Sequence, residues 1–373
     1  MIKFSYILLV MSLSSCAVAQ QNIDWSVSAR LPSENQEAIN HIGLAGPISG
    51  IINDKLIIAG GANFPNGFPW DGGSKYYQKE LYIYTIKSNS EIVFDKMQTF
   101  QDSLAYAGNF SDNKVIYSVG GERKGDPVVD AYIYEIVNSE LSRRSIANLP
   151  IALTNGSLLK SGDILYFIGG ENAKIVSDKI YYLDLSNGSA WKELLTLPYP
   201  ISNTVAVIDD NGNILIAGGR KKNINTTSDI YDDLLQVNLK DKNVQKIASL
   251  PYPVAAGGGI YADGSFILIG GDDANTFHKV EKLIGQINQS EEGETKQRLI
   301  EQKNEIQRNH PGFRKDVWSF NLKTKKWTKL NSISGDSPVT TTFLKKDNMI
   351  IVPSGEVKAG VRTDQILTGI LTK

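Results

Sequence analysis

The chain has 373 residues, 41% of them apolar and 21% charged, and its 39 Lys and Arg are nearly balanced by 40 Asp and Glu. That length suits one large β-architecture or about two to three average domains, and the charge balance leaves no basic footprint for a nucleic-acid backbone. One cysteine, Cys16, and three histidines, His41, His278 and His310, at no metal-ligand spacing, argue against a disulfide framework or a zinc site. No metal or cofactor is expected, and 33 Gly and 16 Tyr against four Met point to strands joined by tight turns.

The N-terminus reads as an export signal. Lys3 precedes an apolar run from Tyr6 to Met11, and Ala17-Val18-Ala19 supplies a small-x-small cleavage site, so residues 1–19 are expected to be a signal peptide. Leu13-Ser14-Ser15-Cys16 supports a competing reading, a lipobox in which Cys16 is lipidated and anchors the chain. The run is too short for an ordinary membrane span, and no transmembrane segment is expected downstream. Export without disulfides fits the periplasm of a Gram-negative bacterium.

From residue 20 onward a repeat organises the chain. Apolar runs end in glycine pairs at Gly60-Gly61, Gly120-Gly121, Gly169-Gly170, Gly218-Gly219 and Gly270-Gly271, and a degenerate sixth ends at Ser354-Gly355. The spacings are 60, 49, 49, 52 and 84, and removing the 35 residues from Thr276 to His310 reduces the last to 49. After most pairs come a polar segment and an alternating aromatic strand, as in Leu81-Tyr82-Ile83-Tyr84, Ala131-Tyr132-Ile133-Tyr134, Ile180-Tyr181-Tyr182-Leu183 and Val317-Trp318-Ser319-Phe320. Leu149-Pro150, Leu197-Pro198 and Leu250-Pro251 then mark turns. Four short strands per unit at a period of about 50 residues resemble the kelch repeat, so residues 20–373 are expected to form a single all-β, six-bladed β-propeller.

Two further expectations concern the ends and the interruption. The last strand, around Gln365 to Leu371, lacks a fourth partner, and Asp24-Trp25-Ser26-Val27 reads as a fourth strand lacking three, so pairing the termini would close the ring. The segment 276–310, in the fifth repeat, favours helix and ends at Pro311-Gly312. It is either a solvated excursion or a lid over one mouth of the ring.

The long connection after each glycine pair should gather polar side chains at one face: Asn63, Asp71, Glu122, Arg123, Glu171, Asn172, Arg220, Asp272, Asp273, Glu356, Lys358 and Arg362. The sixth copy stands apart, because Gly355-Glu356-Val357-Lys358-Ala359-Gly360-Val361-Arg362-Thr363-Asp364 puts a carboxylate and two cations within seven residues. A carboxylate near cations can act as a base, and an arginine fork suits a substrate carboxylate.

This segment resembles the Gly-Glu-x-Lys-x-Gly-x-Arg-Thr-Asp stretch of bacterial N-acetylneuraminate epimerases, the sialic acid mutarotases. The segment from Gly46 to Ala62 and the helical insertion have counterparts there too. In better-known members the Gly-Glu-x-Lys segment is central and precedes the counterpart of Gly46 to Ala62, so this chain resembles a cyclically permuted branch. The resemblance implies a six-bladed periplasmic propeller that interconverts the α and β anomers of N-acetylneuraminate, with Glu356 as proton acceptor and Arg362 on the substrate carboxylate. Lys358, Arg220, Asn63, Glu122 and Glu171 are further candidates for substrate hydrogen bonds or the acid. The expected partner is thus a small sugar, and the alternative is a non-catalytic kelch propeller binding a glycan or protein. No Ser-x-Asp-x-Gly-x-x-Trp turn of the sialidase kind is present, and Cys16 is the only cysteine, which excludes a tyrosine-cysteine copper oxidase.

Overall fold

The computed structural model describes residues 21–33, 41–88, 90–188 and 190–372. The expected leader and Cys16 lie outside them. Six four-stranded antiparallel sheets form the blades of a propeller, as the repeat predicts. The first strand of each blade, Ile48–Ile52, Gly108–Ser111, Ser157–Ser161, Val205–Ile208, Gly258–Ala262 and Leu344–Lys346, is innermost, and residues of the last five of these strands, with Gly46 and Pro47 just ahead of the first, line an axial tunnel of about 510 Å³. Among the described residues no helix is long and apolar enough to cross a membrane.

The sheets hold together because alternating strands bury apolar side chains between adjacent blades. Among the described residues six large clusters of buried residues result, one for each blade-to-blade junction around the ring, with a small seventh at Ala62, Tyr77 and Ala105. The aromatic third strands supply much of this packing, with Tyr82, Tyr84, Tyr134 and Phe320 at most 1% exposed. In the last blade the outermost strand is Asn22–Arg30, which pairs antiparallel with Gln365–Thr372 from Asn22 opposite Thr372 to Arg30 opposite Gln365. The junctions on both sides of that blade therefore draw on both ends of the chain: Ile23 packs with Leu367 on one side and Leu31 with Ile366 on the other.

The glycine pairs weld blade to blade. Gly60 and Gly61 have φ of +62° and +83°, a region that side chains with a Cβ disfavour. A Cβ on Gly60 would lie 2.6 Å from the Leu104 carbonyl oxygen of the next blade, the oxygen that accepts the Gly61 N–H at 2.9 Å. In the degenerate copy Ser354 adopts φ +62°, and its hydroxyl offsets the strain by accepting from Leu44 N–H and donating to the Thr363 carbonyl.

Where the fourth strand of one blade leads into the first strand of the next, a single residue turns left-handed. These residues are Gly46, Tyr106, Asn155, Asn203, Ala256 and Thr340, with φ between +50° and +61°. Their backbones link head to tail: Tyr106 N–H donates to Gly46 O, Asn155 to Tyr106, Asn203 to Asn155, Ala256 to Asn203, and Gly46 to Thr340, at 2.6–3.0 Å. The result is a main-chain collar at one end of the tunnel.

The fifth blade carries the helical insertion, as α1 (Asn275–Gln289) and α2 (Glu294–Arg308). Glu281 of α1 accepts from the Ser228 hydroxyl (2.6 Å) and N–H (2.9 Å) in the fourth blade, and His278 Nε2 donates to Ser228 O. Asn304 of α2 donates to Trp70 O in the first blade (3.1 Å), and Arg308 lies 3.6 Å from Asp71. The helix pair is thus tied at both ends to loops on the collar face, spanning from the fourth blade to the first.

Candidate active site at the collar mouth

The residue after each glycine pair forms a β-bridge to the residue just before a collar position. The six bridges are Ala45–Ala62, Ala105–Glu122, Thr154–Glu171, Ser202–Arg220, Ala255–Asp272 and Val339–Glu356. One structural rule therefore places Ala62, Glu122, Glu171, Arg220, Asp272 and Glu356 at equivalent points around the mouth. None of the five charged residues lines the tunnel itself. They stand at its collar end, where the long connections converge.

Glu356 and Arg362 face each other across a small hairpin, Glu356–Lys358 paired with Val361–Arg362. The Arg362 side chain is 5% exposed, its Nη1 lies 3.5 Å from Glu356 Oε1, and its guanidinium sits 4.5 Å over the Phe64 ring. Among the described residues its Nε and Nη1 are buried without hydrogen-bond partners, which leaves two donors of the guanidinium unspent. Glu356 Oε1 accepts Gly360 N–H at 2.6 Å. Gly360 can serve because it has φ +83° and packs directly against Pro69 and Trp70.

Arg220 Nη2 reaches Glu171 Oε1 at 2.6 Å, and the collar residues Asn155 and Asn203 donate to the same oxygen. Phe277 of α1 lies 5.3 Å from the Arg220 guanidinium, so the insertion roofs this side. At the neighbouring position of the second blade, Glu122 Oε1 accepts from Tyr77 (2.5 Å) and Lys75 (2.9 Å). Burial, then the hydrogen bond to Glu122, pushes the Tyr77 phenol up to about 12. Lys75 also lies 5.1 Å over the Tyr106 ring.

Asp272 occupies the fifth blade's position. Its Oδ1 accepts Ala274 N–H at 2.8 Å. Burial, with Asp273 and Glu356 adding negative potential and Arg220 opposing, pushes its carboxyl up to about 6.

The remaining sequence candidates are placed elsewhere. Asn63 is 1% exposed, its amide donating to Gly43 O and accepting from Gln78, so it braces the first blade's connection. Arg123 pairs with Asp130 and Asp102. Asn172 closes its own turn by accepting Lys174 and Ile175 N–H. Asp71 pairs with Arg308, and Asp273 accepts Asn275 N–H and lies 3.5 Å from Arg314. Lys358 lies near His310, whose pKa is lowered by burial and then by that ammonium.

Tyr106, Lys75 and Tyr77 are site residues that the sequence reading missed. The Tyr106 phenol is buried among Arg362, Lys75, Glu356 and Glu122, and burial raises its pKa. Aligning the stretches before the first strands, Leu44-Ala45-Gly46, Leu104-Ala105-Tyr106 and Ile201-Ser202-Asn203, would have exposed Tyr106 as the aromatic exception at a collar position.

The comparisons with known proteins agree with this architecture. The model of the family described as N-acetylneuraminate epimerase matches residues 146–373, a span that contains Glu171, Arg220, Asp272, Glu356 and Arg362. The N-acetylneuraminate epimerase of Haemophilus influenzae (strain PittEE) is 26% identical over 230 residues, 60% of this chain and 59% of that protein. That of Vibrio vulnificus (strain YJ016) is 32% identical over 108 residues, 26% of this chain and 27% of that protein. The chain thus aligns with about three fifths of the length of the first of these relatives. The solved structure of YjhT, at 14% identity, superposes with a TM-score of 0.64 over 89% of this chain and 98% of that one, a likeness of fold. With the family match covering more than half of its residues, the chain belongs to the N-acetylneuraminate epimerase family.

Proposed function

We propose that the protein interconverts the α and β anomers of N-acetylneuraminate. The observation that carries this reading is the Glu356–Arg362 hairpin, which holds a carboxylate beside a buried guanidinium with unspent donors at the collar mouth. The substrate bears a carboxylate on its anomeric carbon. With that group on Arg362, the anomeric hydroxyl is brought beside Glu356.

Glu356 takes the hydroxyl proton, the bond from the anomeric carbon to the ring oxygen breaks, and the ring oxygen is protonated. The open-chain ketone turns and recloses on its other face, and the protons return. Acid-base catalysis of this kind contributes about 10²- to 10⁴-fold. We also place the protein in the periplasm, on the reading of residues 1–19 as an export signal.

Proton NMR of freshly released α-N-acetylneuraminate, with and without the protein, tests the reading. The β signals should grow faster with the wild type, and Glu356→Gln should reduce that acceleration at least about 100-fold while the sugar still binds. Full activity in the variant would remove Glu356 from the mechanism, and binding without acceleration by the wild type would make the protein a glycan-binding module.

A further inference from the structure

The four carboxylates at the equivalent mouth positions differ in one respect. Glu122 has Lys75 at 2.9 Å, Glu171 has Arg220 at 2.6 Å and Glu356 has Arg362 at 3.5 Å. Asp272 has no cation within ion-pair distance among the described residues, although two arginines stand near. Arg220 is engaged by Glu171, and Arg314 by Asp273 and Asp316. One Asp272 oxygen is held by Ala274 N–H, and its other oxygen makes no hydrogen bond among the described residues. Asp272 follows the glycine pair of the blade adjacent to Glu356, on the same bridge register.

We propose that Asp272 is the proton donor to the ring oxygen, acting together with Glu356. This assignment rests on the anomer-interconversion reading above and supplies the acid which that reading leaves open. Two carboxyl groups in one site divide the work of acid and base when their surroundings separate them. Here Glu356 has Arg362 at 3.5 Å, whereas Asp272 is half-buried in the negative potential of Asp273 and Glu356, with the nearby guanidiniums engaged elsewhere. The upward shift of Asp272 to about 6 is the consequence of that arrangement.

The step balances without an oxidant or metal. On opening, Glu356 gains the hydroxyl proton, the O–H electron pair becomes the ketone π bond, the pair of the broken C–O bond goes to the ring oxygen, and Asp272 gives that oxygen its proton. On closing, the Asp272 carboxylate removes the same proton as the oxygen attacks the carbonyl carbon, and Glu356 protonates the new anomeric hydroxyl.

The test compares wild type and Asp272→Asn by anomer-exchange NMR from pH 5 to 8, with the uncatalysed rate subtracted. The amide keeps an acceptor for Ala274 N–H. The wild-type kcat/KM should fall as pH rises above about 6, approaching tenfold per unit. Asp272→Asn should lose at least about 100-fold in kcat with KM changed less than about threefold, and that alkaline decline should vanish. A variant with the wild-type rate and profile overturns the assignment while leaving the epimerase reading intact. A wild type that accelerates nothing overturns both. If the asparagine variant does not fold, the wild-type profile decides, and a rate level through pH 8 overturns the assignment.

Discussion

Gly360 links the stability of the last blade to the position of its carboxylate. Alanine at this position would adopt φ +83°, and its Cβ would lie 2.8 Å from Pro69 Cγ and 3.3 Å from Trp70 Cζ3. The left-handed backbone costs about 1–2 kcal/mol for a residue with a Cβ, and forcing a methyl into a packed contact costs about 1–3 kcal/mol more. Gly360→Ala should therefore destabilise by about 2–5 kcal/mol. Gly264→Ala separates the two contributions, because Gly264 has φ +74° with nothing within 4 Å of its Cβ position. It should lose only about 1–2 kcal/mol. Urea unfolding followed by tryptophan fluorescence measures both. Gly360 N–H also holds Glu356 Oε1, so a displaced hairpin should slow anomer exchange in Gly360→Ala and not in Gly264→Ala. Equal stability losses and equal exchange rates in the two variants would refute the argument.

Ring closure and a buried histidine give two further expectations. Ile23 is fully buried between the fifth and sixth blades, so Ile23→Ala should cost about 2–5 kcal/mol in urea unfolding, and a loss below about 1 kcal/mol would mean that the N-terminal strand does not seal the ring in solution. His41 Nδ1 accepts Gly43 N–H (2.8 Å), its Nε2 lies 3.0 Å from Tyr82 OH, and burial lowers its pKa from 6.5 to about 4. The unfolded chain binds that proton more readily than the folded one, so the stability contributed is complete above pH 6.5 and is lost as pH falls toward 4. The loss should be roughly 3 kcal/mol at the limit; urea midpoints from pH 7 to 4 should fall less steeply in His41→Gln, and parallel curves would contradict the assignment.

The blades were legible because their constraint is local: a glycine pair after a buried strand marks five of the six places where two blades meet, and Ser354-Gly355 marks the sixth. The Glu356–Arg362 pair was legible for the same reason, since one short hairpin supplies both side chains. Tyr106 and Lys75 were not, because they meet Glu122 and Arg362 only through the ring, from segments that read as ordinary linkers. Asn63 shows the reverse case. It follows a glycine pair like the other candidates, yet Gly43 and Gln78 take up its amide, a partnership invisible along the chain. What distinguishes Asp272 from Glu171, the lack of a cation within ion-pair distance among the described residues, is a three-dimensional property with no signature in spacing.

The main-chain collar separates bore from chemistry. Its links run through amides, so glycine, tyrosine, asparagine, alanine and threonine occupy its six positions with nearly one backbone conformation. Exchanging a side chain there leaves the amide links of the backbone ring in place and changes the groups that stand at its rim. Such a gauge lets the groups at the rim vary by single substitutions while the scaffold stays the same size.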